Sequence, residues 1–162
     1  MLSACHGRIA AHCASLRRLV PHLLAGGVDD EARTAATRLM RYFDKAALDH
    51  HADEEDDLFP ALIESMAGSD AICLREMIAA LTADHRALEA CWQHLRGILD
   101  RIAAGEGVAL VADDVEALAG RYERHIEREE RELLPMAARL LSDDELARVG
   151  RAMRQRRGID EA

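Results

Sequence analysis

The chain has 162 residues, enough for one domain with a sizeable core. Aromatic residues make up only 3%, while Ala, Leu, Arg, Glu and Asp dominate, which favours helices packed on helices over a β-sheet. The formal net charge of −9 argues against nucleic acid or an anionic membrane as a partner and suits a protein that holds a cation.

No apolar run reaches ~18 residues, so no transmembrane helix is expected. Met1 leads into a mixed stretch without the layout of a secretion signal. Cys5, Cys13, Cys73 and Cys91 are unevenly spaced and form no CxxC pair. They read as reduced thiols in a cytoplasmic protein rather than a zinc or disulfide framework.

Helical spacing of Ile9, Cys13, Leu16, Val20 and Leu23 predicts a first helix from about Ser3 to Leu24. Pro21 is expected to kink its last turn and Gly26-Gly27 to end it. Asp29-Asp30-Glu31 places acids at the start of a second helix, where they complement the dipole. Its inner face carries Ala36, Leu39, Phe43, Ala46 and His50, and it runs to about Ser65. Gly68-Ser69-Asp70 breaks the chain, and a long third helix follows to Ala104. After Gly105-Glu106-Gly107, a fourth helix begins near Val108 or Asp113, carries Val111, Val115, Leu118 and Tyr122 towards His125, and fades after Leu141. Ser142-Asp143-Asp144-Glu145 fits a capping box that opens a short fifth helix with Leu146, Val149 and Met153. Its basic end, Arg151, Arg154, Arg156 and Arg157, reads as a helix C-terminus and solvated tail. The expected organisation is an all-α, antiparallel up-down-up-down four-helix bundle over 1–141, with a short C-terminal helix and basic tail over 142–162.

The stretch His50-His51-Ala52-Asp53-Glu54-Glu55 leading to Leu58-Phe59-Pro60 recurs as His125-Ile126-Glu127-Arg128-Glu129-Glu130 leading to Leu133-Leu134-Pro135. Each copy sets Glu at +4 and +5 from a His, apolar residues at +8 and +9, and Pro at +10. Positions i and i+4 share a helix face, so His50/Glu54 and His125/Glu129 would each aim an imidazole and a carboxylate at one point. One such pair is weak evidence, and two in the same frame are much stronger. The remaining helices repeat as well. His6 is followed by apolar residues at +3, +7, +10, +14 and +17 and by Gly26 at +20, and His85 by Leu88, Trp92, Leu95, Leu99, Ile102 and Gly105 at those offsets.

Counting back from the turns at ~1.5 Å per residue puts His6, His50 and His85 at nearly one level, with His125 within a turn. His12 would sit about 9 Å away along the axis, so the count prefers His6 on the first helix. His51 points ~100° from His50 and reads as a rim or supporting residue, with a His51/Glu55 pairing as the alternative. His22 and His94 lie off the frame, and Glu89, one turn after His85, reads as a supporting or exposed acid, with a ligand role as the alternative.

The inward set is His6, His50, Glu54, His85, His125 and Glu129. A single structural zinc would need four ligands, usually with Cys, and calcium or magnesium would prefer oxygen throughout. Imidazoles mixed with carboxylates that can bridge suit two iron or manganese ions in a bundle core. Burying the set without a cation would be costly.

The chain resembles the hemerythrin-like HHE cation-binding family. The resemblance rests on Cys5-His6 with Arg8-Ile9, Tyr42-Phe43 ahead of the first His-Glu copy, Asp84-His85, and both copies through their prolines. It implies a four-helix bundle with an oxo- or hydroxo-bridged di-iron centre, Glu54 and Glu129 as bridges, and His6, His50, His85 and His125 as terminal ligands. Manganese or a mixed pair is an alternative. Oxygen-carrying hemerythrins have a second His one turn after the third-helix His and a final Asp. Here Glu89 and Glu129 stand there, closer to relatives implicated in iron handling, nitrosative stress and iron–sulfur repair. The expected function is a cytoplasmic di-iron protein that binds or senses O2, NO or peroxide, with any signal passing through a protein partner or a homo-oligomer. The competing readings are a di-iron redox enzyme or iron donor, to which Cys5 could couple thiol chemistry, and an interaction module with a structural metal.

Overall fold

The computed structural model describes residues 2–66 and 70–159. These form five helices and, among the described residues, no strand: α1 (Leu2–Gly26), α2 (Asp30–Ser65), α3 (Asp70–Ala103), α4 (Ala112–Leu140) and α5 (Asp143–Arg156). Gly68 and Ser69, expected to break the chain, lie outside the described residues.

The helix ends follow local chemistry. α1 continues through Pro21 to Gly26, and Gly27 leaves it at φ 70°, a conformation that costs glycine little. Asp29 caps α2 by accepting the Ala32 N–H at 2.8 Å. Ser142 and Glu145 form the expected capping box at the start of α5.

The two His-Glu helices are not uniform. α2 widens into π-helical turns at Tyr42–Ala47 and Asp53–Leu58, and α4 does so at Glu129–Leu133. Two of these turns fall at the same place in the repeated motif. The N–H of Phe59 donates to the carbonyl of Glu54, and that of Leu134 donates to the carbonyl of Glu129, both five residues back. Each donor immediately precedes a proline, Pro60 or Pro135. A proline ring inside a helix removes one N–H and crowds the carbonyl four residues earlier. The widened turn lets the helix absorb that ring without breaking, and Glu54 and Glu129 sit at it.

α1 packs on α2 and α4, and α3 packs on the same two helices. The buried side chains fall into two apolar clusters on either side of a polar layer. One gathers Ile9, Cys13, Leu16, Leu39, Phe43, Leu88, Trp92, Leu95, Leu118 and Tyr122 with their neighbours. The other gathers Leu2, Leu58, Phe59, Leu62, Leu74, Leu81, Leu133 and Ala137 with Val149 and Met153 of α5. Between them in sequence, on all four long helices, lie His6, His50, Glu54, His85, His125 and Glu129, every one buried. The polar layer is therefore shielded from water on both sides.

α5 does more than end the chain. Its apolar face closes the second cluster, and its basic end departs from the solvated tail that the sequence suggests. Arg156 and Arg157 each reach Asp53 at 2.5 Å, and Arg156 also reaches Asp57 at 2.9 Å. Asp53 is fully buried, so a nearby cation is what makes its charge tolerable there. Among the described residues, no helix is long and apolar enough to cross a membrane.

Candidate metal centre

The buried layer divides into two groups of potential ligand atoms that share both carboxylates. His6, His50, Glu54 and Glu129 form one, and Glu54, His85, His125 and Glu129 form the other. Glu129 approaches His6 Nε2 with one oxygen at 3.1 Å and His125 Nε2 with the other at 2.9 Å. Glu54 does the same between His50 Nε2, at 3.6 Å, and His85 Nε2, at 3.2 Å. Each carboxylate thus spans the two histidine pairs.

Within each pair the rings cross steeply. The planes of His6 and His50 meet at 81°, and those of His85 and His125 at 70°. Crossed planes allow two in-plane lone pairs to converge on one point. Bonds of about 2.1 Å set at right angles place neighbouring ligand atoms about 3.0 Å apart. The observed separations of 2.9–3.6 Å are close to that spacing.

These atoms are brought close without being satisfied. His6 Nε2, His50 Nε2 and both oxygens of Glu54 and of Glu129 are buried and make no hydrogen bond. Leaving so many lone pairs unpartnered inside a core is expensive unless a cation accepts them. The donor set fits a metal cation that accepts both imidazole and carboxylate ligands.

Titration behaviour follows from the same crowding. Burial, then the neighbouring Glu129 charge, pushes the Glu54 carboxyl well above the usual carboxylate range. Burial opposes ionisation of Glu129 too, but the imidazoles of His125 and His6 outweigh it and hold its carboxyl below that range. Burial drives His50 well below the ordinary histidine value, and burial with the adjacent His125 takes His85 down to about 3. His6 is the exception. Burial would lower it, yet the carboxylates of Glu129 and Glu130 beside its two nitrogens raise it.

The second glutamate of each motif has a role that the sequence reading did not assign. Glu130 bonds Nδ1 of His6 at 2.6 Å, and Glu55 bonds Nδ1 of His85 at 2.7 Å. Each +5 carboxylate therefore fixes the ring of a histidine on a different helix, while its +4 neighbour faces the centre. Such partners set tautomer and orientation in metal-bound imidazoles. The signal was present in both copies as a doubled Glu, but sequence does not reveal which neighbouring helix it meets. Arg86 also bonds Glu55 and ties it down from outside.

The rival positions lie elsewhere. His12 stacks on Tyr42 at 3.7 Å between ring centroids. His22 pairs with Asp29 and His94 with Asp114, both at 3.0 Å on the surface. Glu89 is half-buried, with its carboxylate 3.7 Å from Arg86. His51 is buried and stacks face to face on His85, with centroids 4.0 Å apart. The alternative His51/Glu55 pairing does not form, since Glu55 turns to His85.

The hemerythrin HHE cation binding domain matches residues 1–137 of this sequence. The chain belongs to the hemerythrin HHE cation-binding family. An uncharacterised protein of Haemophilus influenzae is 30% identical to it over 161 residues, covering 99% of this chain and 90% of the relative. Binding of metal cations is accordingly the property this hemerythrin-type chain shares with its family, and its buried His/Glu groups are compatible with it.

Proposed function

We propose that the protein holds a non-haem di-iron centre that binds or senses a small ligand such as O2, NO or peroxide. His6 and His50 would bind one ion, His85 and His125 the other, and Glu54 and Glu129 would bridge them. The observation that carries this reading is the division of each carboxylate between the two histidine pairs, at 3.1 and 2.9 Å for Glu129 and 3.6 and 3.2 Å for Glu54. Two nitrogens and two shared carboxylate oxygens leave an iron-type ion short of six ligands, which is where a small molecule would enter. When bound, the iron pair would supply reversible redox chemistry and an acceptor for such a ligand. The protein's part is to fix the imidazoles through Glu55 and Glu130 and to keep bulk water out with its two apolar clusters.

The interaction-module reading is weakened by Arg156 and Arg157, since these two of the basic groups that would recruit a partner are engaged with Asp53. A di-iron redox enzyme is the remaining alternative. One observation favours it: the buried thiol of Cys5, the chain neighbour of His6, accepts a hydrogen bond from Arg8 at 3.0 Å and is near enough to Glu54 to act on its carboxyl. Stopped-flow titration of the iron-loaded protein with O2, NO and peroxide separates the two. A stoichiometric, reversible spectral change supports the binder, whereas repeated consumption of the added molecule would establish the enzyme instead.

A further inference from the structure

His51 is buried, yet its Nε2 makes no hydrogen bond. One of its nitrogens lies within 4.8 Å of ligand atoms of His85 and His125, so proximity alone would admit it as a further metal ligand. Its orientation argues otherwise. The planes of His51 and His85 are only 13° apart with centroids 4.0 Å apart, whereas the rings of each ligand pair cross at 81° or 70°. A metal ion lies in the plane of the imidazole that binds it, about 2.1 Å from nitrogen. An ion in the plane of His85 would therefore sit roughly one stacking distance out of the plane of His51. Tyr122, with its centroid 6.0 Å away and its plane at 26°, packs near the same ring and opposes its rotation.

A buried imidazole beside a metal position, with Nε2 unbonded and its plane turned away from coordination, is suited to a different task. We infer that His51 is the hydrogen-bonding partner of a small exogenous ligand, two or three atoms long, bound on the His85–His125 side of the centre. This rests on the di-metal reading above. The ligand class is a diatomic molecule or a short anion: one end takes the open position, and the other comes within reach of the His51 nitrogen. The two halves of the centre then differ. The His6–His50 side has no such unpartnered imidazole in its group beyond the ligands themselves. Ligand binding is accordingly directed to the His85–His125 side.

Azide is the probe. Wild type, His51→Phe, His51→Leu and His51→Gln would be loaded with ferrous iron, oxidised, assayed for iron and titrated with azide by absorbance. The expected result is the same iron content in all four, with azide bound about tenfold more weakly by the Phe and Leu variants and partly recovered by Gln. Phe keeps a stacked ring without a nitrogen, and Leu gives a second apolar replacement should Phe impair folding, which circular dichroism reports. Unchanged azide affinity in a folded apolar variant overturns the inference. So does a lower iron content in the variants, which would make His51 a metal ligand. Fewer than two irons in wild type, or no azide response there, is the separate failure of the di-metal reading and removes this inference with it.

Discussion

The carboxylate of Glu55 holds Nδ1 of His85 at 2.7 Å, while its chain neighbour Glu54 meets Nε2 of the same ring at 3.2 Å. Two consecutive residues thus grip one imidazole from opposite edges. In the second copy of the motif, Glu130 and Glu129 grip His6 in the same way, at 2.6 and 3.1 Å. The doubled glutamate is the device that converts a helix repeat into a set of oriented, buried imidazoles.

Glu55→Gln and Glu130→Gln should each weaken metal binding roughly 10- to 100-fold, because an amide orients the imidazole without strengthening its basicity. Competition titration against a chelator of known affinity measures this. Equal affinity in wild type and both variants would show that the +5 glutamates are surface acids.

Glu89→Ala should leave metal content and spectrum unchanged, since Glu89 faces Arg86 at the surface. His85→Ala, four residues earlier, should abolish binding of at least one ion. Metal analysis of the two variants side by side distinguishes a half-buried third-helix acid from an inward ligand.

The metal-free protein should lose stability as pH falls below about 6.5. Folded His50, His51 and His85 sit below the ordinary histidine value of 6.5, so the unfolded chain binds more protons than the folded one in that range. Their contribution is present above 6.5 and is lost as pH drops from there towards their folded values, by roughly 1.4 kcal/mol per pH unit for each imidazole. Glu54 and His6 work in the opposite direction: their raised values favour the fold at low pH and cease to do so as pH rises through them. The three lowered imidazoles outnumber these two near neutrality. Thermal unfolding of the metal-free chain at pH 5, 6 and 7 should show a rising midpoint, and a flat or falling series would contradict the assigned environments.

Asp53→Asn should detach the end of α5. It leaves Arg156 and Arg157 without their buried partner, at a cost of about 3 kcal/mol, near the low end for a buried pair because both arginines keep some solvent contact. Denaturant unfolding measures the loss. The same variant should make the α5 amides exchange faster, since Val149 and Met153 would lose the clasp that holds them on the core.

Much of this arrangement is legible in the sequence because helices have a fixed rise. Counting residues from the glycine turns was enough to bring His6, His50, His85 and His125 to one level, and the i, i+4 rule put Glu54 and Glu129 beside them. The widened turns were not legible. Pro60 and Pro135 were visible at +10, but the usual expectation for an internal proline is a break, and only backbone geometry shows a helix accommodating the ring with an i to i+5 bond. Glu55 and Glu130 were visible too, yet their partners lie on other helices, which a single strand of residue spacings does not specify. The basic end of α5 resembled a common helix C-terminus. Its clasp on Asp53 depends on how α5 folds back over the widened turn of α2, a long-range contact without a local signature.

Two metal ions held between shared carboxylates would show themselves first in metal content and the absorption spectrum. The protein would be purified without air, assayed for iron, manganese and zinc, and then exposed to O2. The expected result is about two irons per chain and new near-ultraviolet and visible bands after exposure, both lost in His50→Ala and His125→Ala. A fully folded protein containing only zinc, or no metal at all, would contradict it.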